Sequence, residues 1–310
     1  MKKELSPAFS PETLFSKSKV YINRALRSKN LDINDEFLLW SSLALELLAK
    51  SSLSSIHPAL IADPTHSQSL FSACGHPISS EVRTITAKTL FDRLTHVSKL
   101  FDKRIQEFCN HFAQKRNIEI HSGESPFGGS DLEQLESKFW HAASIILSIQ
   151  NKDLNDWITE SESQSTKQKL INAKRAIELS VKEKIEHAKE NFSNRTKGKE
   201  LNKQIEKIDH YETSKKLRFY YDGEKRHGCP ACATEGVLAG TQYDDELHND
   251  IDDEYLTEYI LKWYNSEEFY CPMCDLHLIG TQEIEATQLP SEFSLIEERD
   301  YDFYPDYGND

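Results

Sequence analysis

Two Cys-x-x-Cys pairs, Cys229-Pro230-Ala231-Cys232 and Cys271-Pro272-Met273-Cys274, constrain this chain more than any other feature of its sequence. Two thiols separated by two residues can turn onto one metal ion, and two such knuckles complete a closed tetrahedron. An internal echo strengthens the reading. Leu238-Ala239-Gly240-Thr241-Gln242 follows the first pair and Leu278-Ile279-Gly280-Thr281-Gln282 follows the second, so each knuckle leads into the same hairpin-like return.

The expected result is a small α+β zinc-ribbon module over residues 217–290, with Zn²⁺ held structurally by Cys229, Cys232, Cys271 and Cys274. The 38 residues between Cys232 and Cys271 exceed ordinary knuckle spacing, so an inserted element is required, read as a helix across Asp253 to Tyr264. A closed four-thiolate site has no open coordination position, which assigns it to folding and docking rather than chemistry. His227 and His277 lie close by in sequence and are read as surface residues or as neighbours of the ligands. The remaining cysteines, Cys74 and Cys109, make no framework. Six cysteines in 310 residues do not resemble the dense pairing of a small secreted domain, so the expected compartment is reducing and the location cytoplasmic. No apolar run of about 18 residues suggests a membrane span, and the N-terminal residues lack a secretion signal's apolar core.

Upstream, the pattern is helical, and the chain as a whole reads as mainly α. With 38% hydrophobic residues it can bury a core in part of its length. Asp35 to Lys50 is apolar on most sides, with acidic residues at its start and a lysine at its end, as the helix dipole favours. Its interior Glu46 is unusual, because a carboxylate among leucines costs several kcal/mol unless it is paired. Residues 51–80, with Pro58, Pro64, Gly75 and Pro77, read as a long loop with short helical pieces. Further helices are expected from Ser79-Ser80-Glu81 to about Leu100, from Phe101 to Ile120, and from Ser130-Asp131 onward with Leu132, Leu135, Phe139, Ala142, Ile145 and Ile146 on one face. Together these define a helical bundle over residues 1–158. Residues 159–216 read as a long exposed helix or helical hairpin, an arm interrupted around Asn194 to Gly198. Residues 291–310 read as an acidic tail, disordered when alone or acting as a phosphate mimic in a basic groove.

Charge is uneven along this plan. The net charge is −14; residues 1–160 carry 18 basic and 19 acidic side chains, 161–220 carry 15 and 9, and 221–310 carry 4 and 23. Loose attraction of the whole chain to polyphosphate is therefore disfavoured. A local basic surface on 161–220 stays open, beside the plainer reading of a solvated helical face.

The segment Lys115-Arg116-Asn117-Ile118-Glu119-Ile120-His121-Ser122-Gly123 closes the expected third helix. Arg116 and His121 stand about 140° apart around an ideal helix with about 7.5 Å of rise, so one chain does not aim both at one atom. Two copies related by a two-fold axis can. The segment resembles the R-x₄₋₆-H signature of HEPN-domain ribonucleases, and Leu45-Glu46-Leu47-Leu48-Ala49-Lys50 looks like the Glu-containing helix upstream in that family. The resemblance covers about residues 30–155. It implies a homodimer with a composite cleft that cuts RNA without a metal, in phage defence or a toxin-like role. It also implies catalytic roles for Arg116, His121, Asn117 and Glu46, with Glu46 holding the Arg116 fork, and products ending in a 2′,3′-cyclic phosphate and a 5′-hydroxyl. The zinc ribbon would then sense a trigger or dock a protein partner. The other readings of the residues themselves are a surface ion pair for Arg116 and a helix cap for His121, and a non-enzymatic dimeric adaptor that binds protein or nucleic acid through the ribbon. A Cys74–His76 nucleophile lacks a third orienting group.

Overall fold

The computed structural model describes residues 5–129, 131–196, 208–252 and 257–300. The chain divides into two compact units, Met1–Ala176 and Ile177–Asp310.

The first unit is helical. Helix α1 (Pro11–Asn30) begins where the Ser10 hydroxyl accepts from Thr13 N at 3.2 Å, with Pro11 in the first turn where a missing N–H costs nothing. Helix α2 (Asn34–Ile56) carries the wide apolar surface the sequence shows, and buries Phe37, Leu38, Ala44, Leu45, Leu48, Ala49 and Leu53. Short helix α3 (Ser67–Ala73) falls in the long loop.

The helix expected to start at Ser79 begins later, as α4 (Ala87–Thr95), capped by Thr86. Residues before it are extended because their backbone groups pair elsewhere: Asp63 N donates to Arg83 O at 3.1 Å and Ile85 N to Ile61 O at 3.0 Å. Ser79 and Glu81 imitate a helix start, yet these tertiary hydrogen bonds, ending in β-branched Thr84 and Ile85, win over the local signal. Helix α5 (Lys103–His121) starts at Asp102, whose carboxylate accepts from Ile105 N at 2.8 Å. Helix α6 (Leu132–Ile149) starts at Asp131, and one turn, α7 (Leu154–Trp157), follows. Aromatic rings fill the centre: Phe139 lies 4.8 Å from Trp140 and 6.2 Å from both Phe112 and Trp157. Burying each such ring contributes about 2–3 kcal/mol against leaving it exposed.

Helix α8 (Glu160–Thr196) is continuous over 37 residues. Its second half is not a bare arm. Val181 and Ala188 are buried in the second unit's core, and Ile177, Ile185 and Phe192 pack against it at helical spacing. Residues 197–207, where a hairpin return would lie, are outside the described residues.

The second unit is built on one antiparallel sheet: β1 (Gly223–Gly228), β2 (Glu235–Asp252), β3 (Thr257–Tyr270), β4 (His277–Ile279) and β5 (Glu292–Asp300). The order is β1-β2-β3, and β3's other edge takes β5 along Thr257–Asn265 and β4 along Glu268–Tyr270. Among the described residues two one-turn helices, α9 (His210–Ser214) and α10 (Thr281–Glu285), complete it.

Two expectations are corrected here. The inserted element is not a helix over Asp253 to Tyr264: from Thr257 it is strand β3, flanked by β2 and β5, while 253–256 lie outside the described residues. The knuckle spacing required an insertion but not its type; Tyr259, Ile260, Trp263 and Tyr264 are β-prone and have partner strands on both sides. The supposed acidic tail is strand β5 through Asp300; only residues 301–310, with Asp302, Asp306 and Asp310, lie beyond the described chain.

Candidate functional site

The two knuckles repeat the same local fold. Cys229 N donates to Thr234 O at 2.8 Å and Ala233 N to Cys229 O at 3.0 Å; Cys271 N donates to Leu276 O at 3.0 Å and Asp275 N to Cys271 O at 2.9 Å. The residue after each second cysteine turns left-handed, Ala233 at φ 58° and Asp275 at φ 59°. Beyond the knuckles the echo diverges. Gly240 stays in β2, where a Cβ would stand 1.9 Å from Asn265 O, whereas Gly280, at φ 92°, precedes α10.

The sulfurs of Cys229, Cys232, Cys271 and Cys274 all lie within 4.8 Å of one another, with Cys229–Cys274 at 3.5 Å and Cys232–Cys271 at 3.6 Å. A disulfide requires about 2.05 Å, so these are separate thiols. A tetrahedron with metal–thiolate bonds of about 2.3 Å has edges of about 3.8 Å, which the closest pairs match. Ala231 N donates to Cys229 Sγ at 3.4 Å, and Thr234 Oγ1 sits 2.9 Å from Cys232 Sγ. Such contacts suit sulfur that bears charge. Three of the cysteines are buried and Cys232 is half-buried. The cluster could therefore hold a metal ion. His227 and His277 stand outside it: His227 is hydrogen-bonded to Gly228 O at 3.2 Å, and His277 Nε2 faces the fully buried Glu268. Glu268 also accepts from Tyr221 Oη at 3.0 Å and from Arg218 N at 2.6 Å, which satisfies the carboxylate.

The second cluster lies in the helical unit, between α2 and α5. Arg116, 8% exposed, ion-pairs through its Nη1 with Glu46. Its Nε and Nη2 donate to Asn117 Oδ1 at 3.1 and 2.8 Å. Three of the five guanidinium donors are thus committed, leaving one N–H on each terminal nitrogen without a partner among the described residues. Lys50, one turn after Glu46, places Nζ 2.9 Å from Glu46 Oε1 and donates to Thr84 Oγ1 at 3.1 Å. Burial would raise the Glu46 pKa, but the charges of Lys50 and Arg116 outweigh it and hold the carboxyl below its ordinary range.

His121 is the last residue of α5 and exposed, and its side chain makes no hydrogen bond or ion pair with a described residue. Helix α5 is regular up to it, so Arg116 and His121 do not share a face in one chain. The structure brings together Glu46, Arg116 and Asn117, and leaves His121 apart. Ile118 and Ile120, 39% and 49% exposed, give the same helix end an apolar surface. Glu119 keeps one buried carboxylate oxygen without a hydrogen-bond partner among the described residues. Sequence reasoning passed over Lys50, Thr84 and Glu119. The four-residue spacing of Glu46 and Lys50 was the available signal for the first; Thr84 arrives only through tertiary folding.

The weaker candidates find plain roles. Cys74 is exposed at the end of α3, and no hydrogen bond joins it to His76. Cys109 is buried, and burial together with Asp102 pushes its thiol far up, so it is not a nucleophile at neutral pH. On α8, Lys167, Lys169, Lys184, Lys189 and Arg195 each sit on a carboxylate, of Asp153, Glu136, Glu283, Glu186 and Asp275 respectively. Among the described residues no helix is long and apolar enough to cross a membrane. Comparisons with protein-family models, with curated proteins and with solved structures return no match.

Proposed function

We propose that this chain is a HEPN-type endoribonuclease that acts as a homodimer, in phage defence or a toxin-like role, with a zinc-loaded ribbon module that senses a trigger or docks a partner. The observation that carries the reading is the buried Glu46–Arg116 pair. A bundle under selection for stability alone gains little from burying an ion pair, since its desolvation cancels most of the attraction. An arginine locked on one side by Glu46 and Asn117, with one N–H left on each terminal nitrogen, is suited to receive phosphate oxygens.

In the proposed reaction Arg116 stabilises the charge that grows on the phosphorane as the 2′-oxygen attacks. As the new bond to the 2′-oxygen forms, the bond from phosphorus to the 5′-oxygen breaks, and His121 would take the 2′-hydroxyl proton or give one to the departing 5′-oxygen. Asn117 keeps the guanidinium plane fixed. Because Arg116 and His121 diverge around α5, the second copy supplies the missing half of each site, and exposed Ile118 and Ile120 are the apolar surface on which the copies would meet. Zinc is the proposed ion because four thiolates at tetrahedral separation are its ordinary structural ligand set. It would be held by Cys229, Cys232, Cys271 and Cys274 and would leave no position open for substrate.

The test is cleavage of single-stranded RNA in EDTA by the wild type and by Arg116→Ala and His121→Ala, with product ends identified. Cleavage to cyclic phosphate that survives chelation and falls at least 100-fold in both variants supports the reading. Wild-type protein that never cleaves leaves the dimeric adaptor as the better account.

A further inference from the structure

The outer part of the sheet breaks the alternation that a one-sided sheet requires. Register fixes which residues share a face. Trp263 pairs Asp244 and Ser294, Leu261 pairs Glu246 and Ile296, and Tyr259 pairs Glu298, so these side chains lie on one face. The opposite face holds Tyr264 with Phe293, Lys262 with Leu295, and Ile260 with Leu247 and Glu297. That second face is the one turned to the core, since Tyr264, Phe293 and Leu295 belong to or pack on the core cluster. The first face should then be polar. Instead it carries Trp263, Leu261 and Tyr259, each half-buried, and Ile296, 55% exposed, none of which belongs to that cluster.

Folding alone does not explain an indole, a phenol and two aliphatic side chains in line on the side away from the core. Their surroundings state what would cover them. Asp244, Glu246 and Glu298 share the face, and Tyr259 Oη donates to Glu298 Oε1 at 3.1 Å, so the ring lies against the carboxylate rim. Residues 221–310 carry 4 basic and 23 acidic side chains. Nucleic acid is repelled by that charge, and a second copy would bring the same sign against itself. Three strands at about 4.8 Å spacing make a face about 10 Å wide, the diameter of an α-helix. From Tyr259 to Trp263 the strand runs about 13 Å, enough to seat two to three helical turns.

We infer that the outer face of β2, β3 and β5 is a docking site for a basic amphipathic helix of a partner protein. The apolar stripe of the helix lies on Trp263, Leu261, Tyr259 and Ile296, and its lysines and arginines meet Asp244, Glu246 and Glu298. The inference rests on the docking role proposed for the module and not on the ribonuclease chemistry, so its test is a binding measurement that cleavage does not enter.

The test uses the full chain with its metal and a fluorescent 14-residue peptide of leucine and lysine in helical period, beside a scrambled peptide of identical composition. The amphipathic peptide should bind at least 10-fold more tightly than the scrambled one. Ile296→Asp should weaken it at least 10-fold, even though the added negative charge would strengthen a purely electrostatic attachment. Leu247→Asp adds the same charge at a 65% exposed position on the other face and should leave affinity within about 2-fold. Equal binding of the two peptides would overturn the inference, as would equal loss in the two variants. So would tighter binding of a 14-nucleotide single-stranded RNA, or concentration-dependent self-association of the free protein that Ile296→Asp abolishes.

Discussion

Replacing Glu46 by glutamine removes a charge that two cations share and keeps the side chain's shape. Neutralising one partner of a buried pair costs about 3–5 kcal/mol, because the other charge is left desolvated. Glu46 retains 17% side-chain exposure and Arg116 10%, so partial solvation places the loss at the lower end, about 3 kcal/mol. For a unit of this size each kcal/mol lowers the melting point by about 2–4 °C, giving a fall of about 6–12 °C at pH 7. Three of the four tryptophans, Trp40, Trp140 and Trp157, belong to the helical unit, so intrinsic fluorescence during urea or thermal unfolding reports mainly on it. The pH dependence has a fixed sign. A carboxyl held below its ordinary value near 4.5 contributes stability that is complete above that value and disappears as pH falls through the lower, folded-state value. The gap between wild type and Glu46→Gln should therefore be full at pH 7 and close on acidification below about pH 4. A gap under 0.5 kcal/mol at neutral pH, or one that widens in acid, would refute the claim that this carboxylate is the counter-charge of Arg116 and Lys50.

Three further outcomes are expected. Ala233→Gly relieves a left-handed conformation at an exposed position and should stabilise the metal-loaded module by about 1 kcal/mol, read from its melting point; Asp275→Gly should not, because it also loses the contacts to Arg195 and to Tyr270 Oη at 3.0 Å. Zinc should be found at one ion per chain by elemental analysis and be lost in Cys271→Ser, with β-signal loss in circular dichroism while the helical unit's tryptophan emission persists. With metal bound, alkylation of the native protein should modify Cys74 alone; chelation should release the four clustered thiols, and Cys109 should react only on unfolding.

Local signals carried much of the architecture. Asp131 caps the helix its position announced, and the two Cys-x-x-Cys pairs converge on one cluster, because a short loop of fixed spacing leaves few alternatives. Glu46 was legible as an anomaly, a charge in an apolar run that needs a counter-charge, and the family resemblance pointed to Arg116, 70 residues later, as its partner. The misreadings share a different cause. Ser79 to Glu81 looks like a helix start, and Asp253 to Tyr264 like an acidic helix, until long-range strand pairing is taken into account. The same holds for Glu292 to Asp300, whose charge hid a strand that exists only because β3 offers it an edge. The second half of α8 read as an arm, because its apolar residues are sparse and gain meaning only against the second unit's core.

The central claim is that Arg116 and His121 of different copies make one RNA-cleaving site. Mixing Arg116→Ala with His121→Ala tests it most directly. After subunit exchange, half of the dimers are mixed, and each mixed dimer regains one site with both residues intact, so activity should return to about a quarter of wild type. No recovery on mixing, with exchange verified, would contradict a composite site, and RNA cleavage undiminished in either variant alone would contradict the ribonuclease assignment itself.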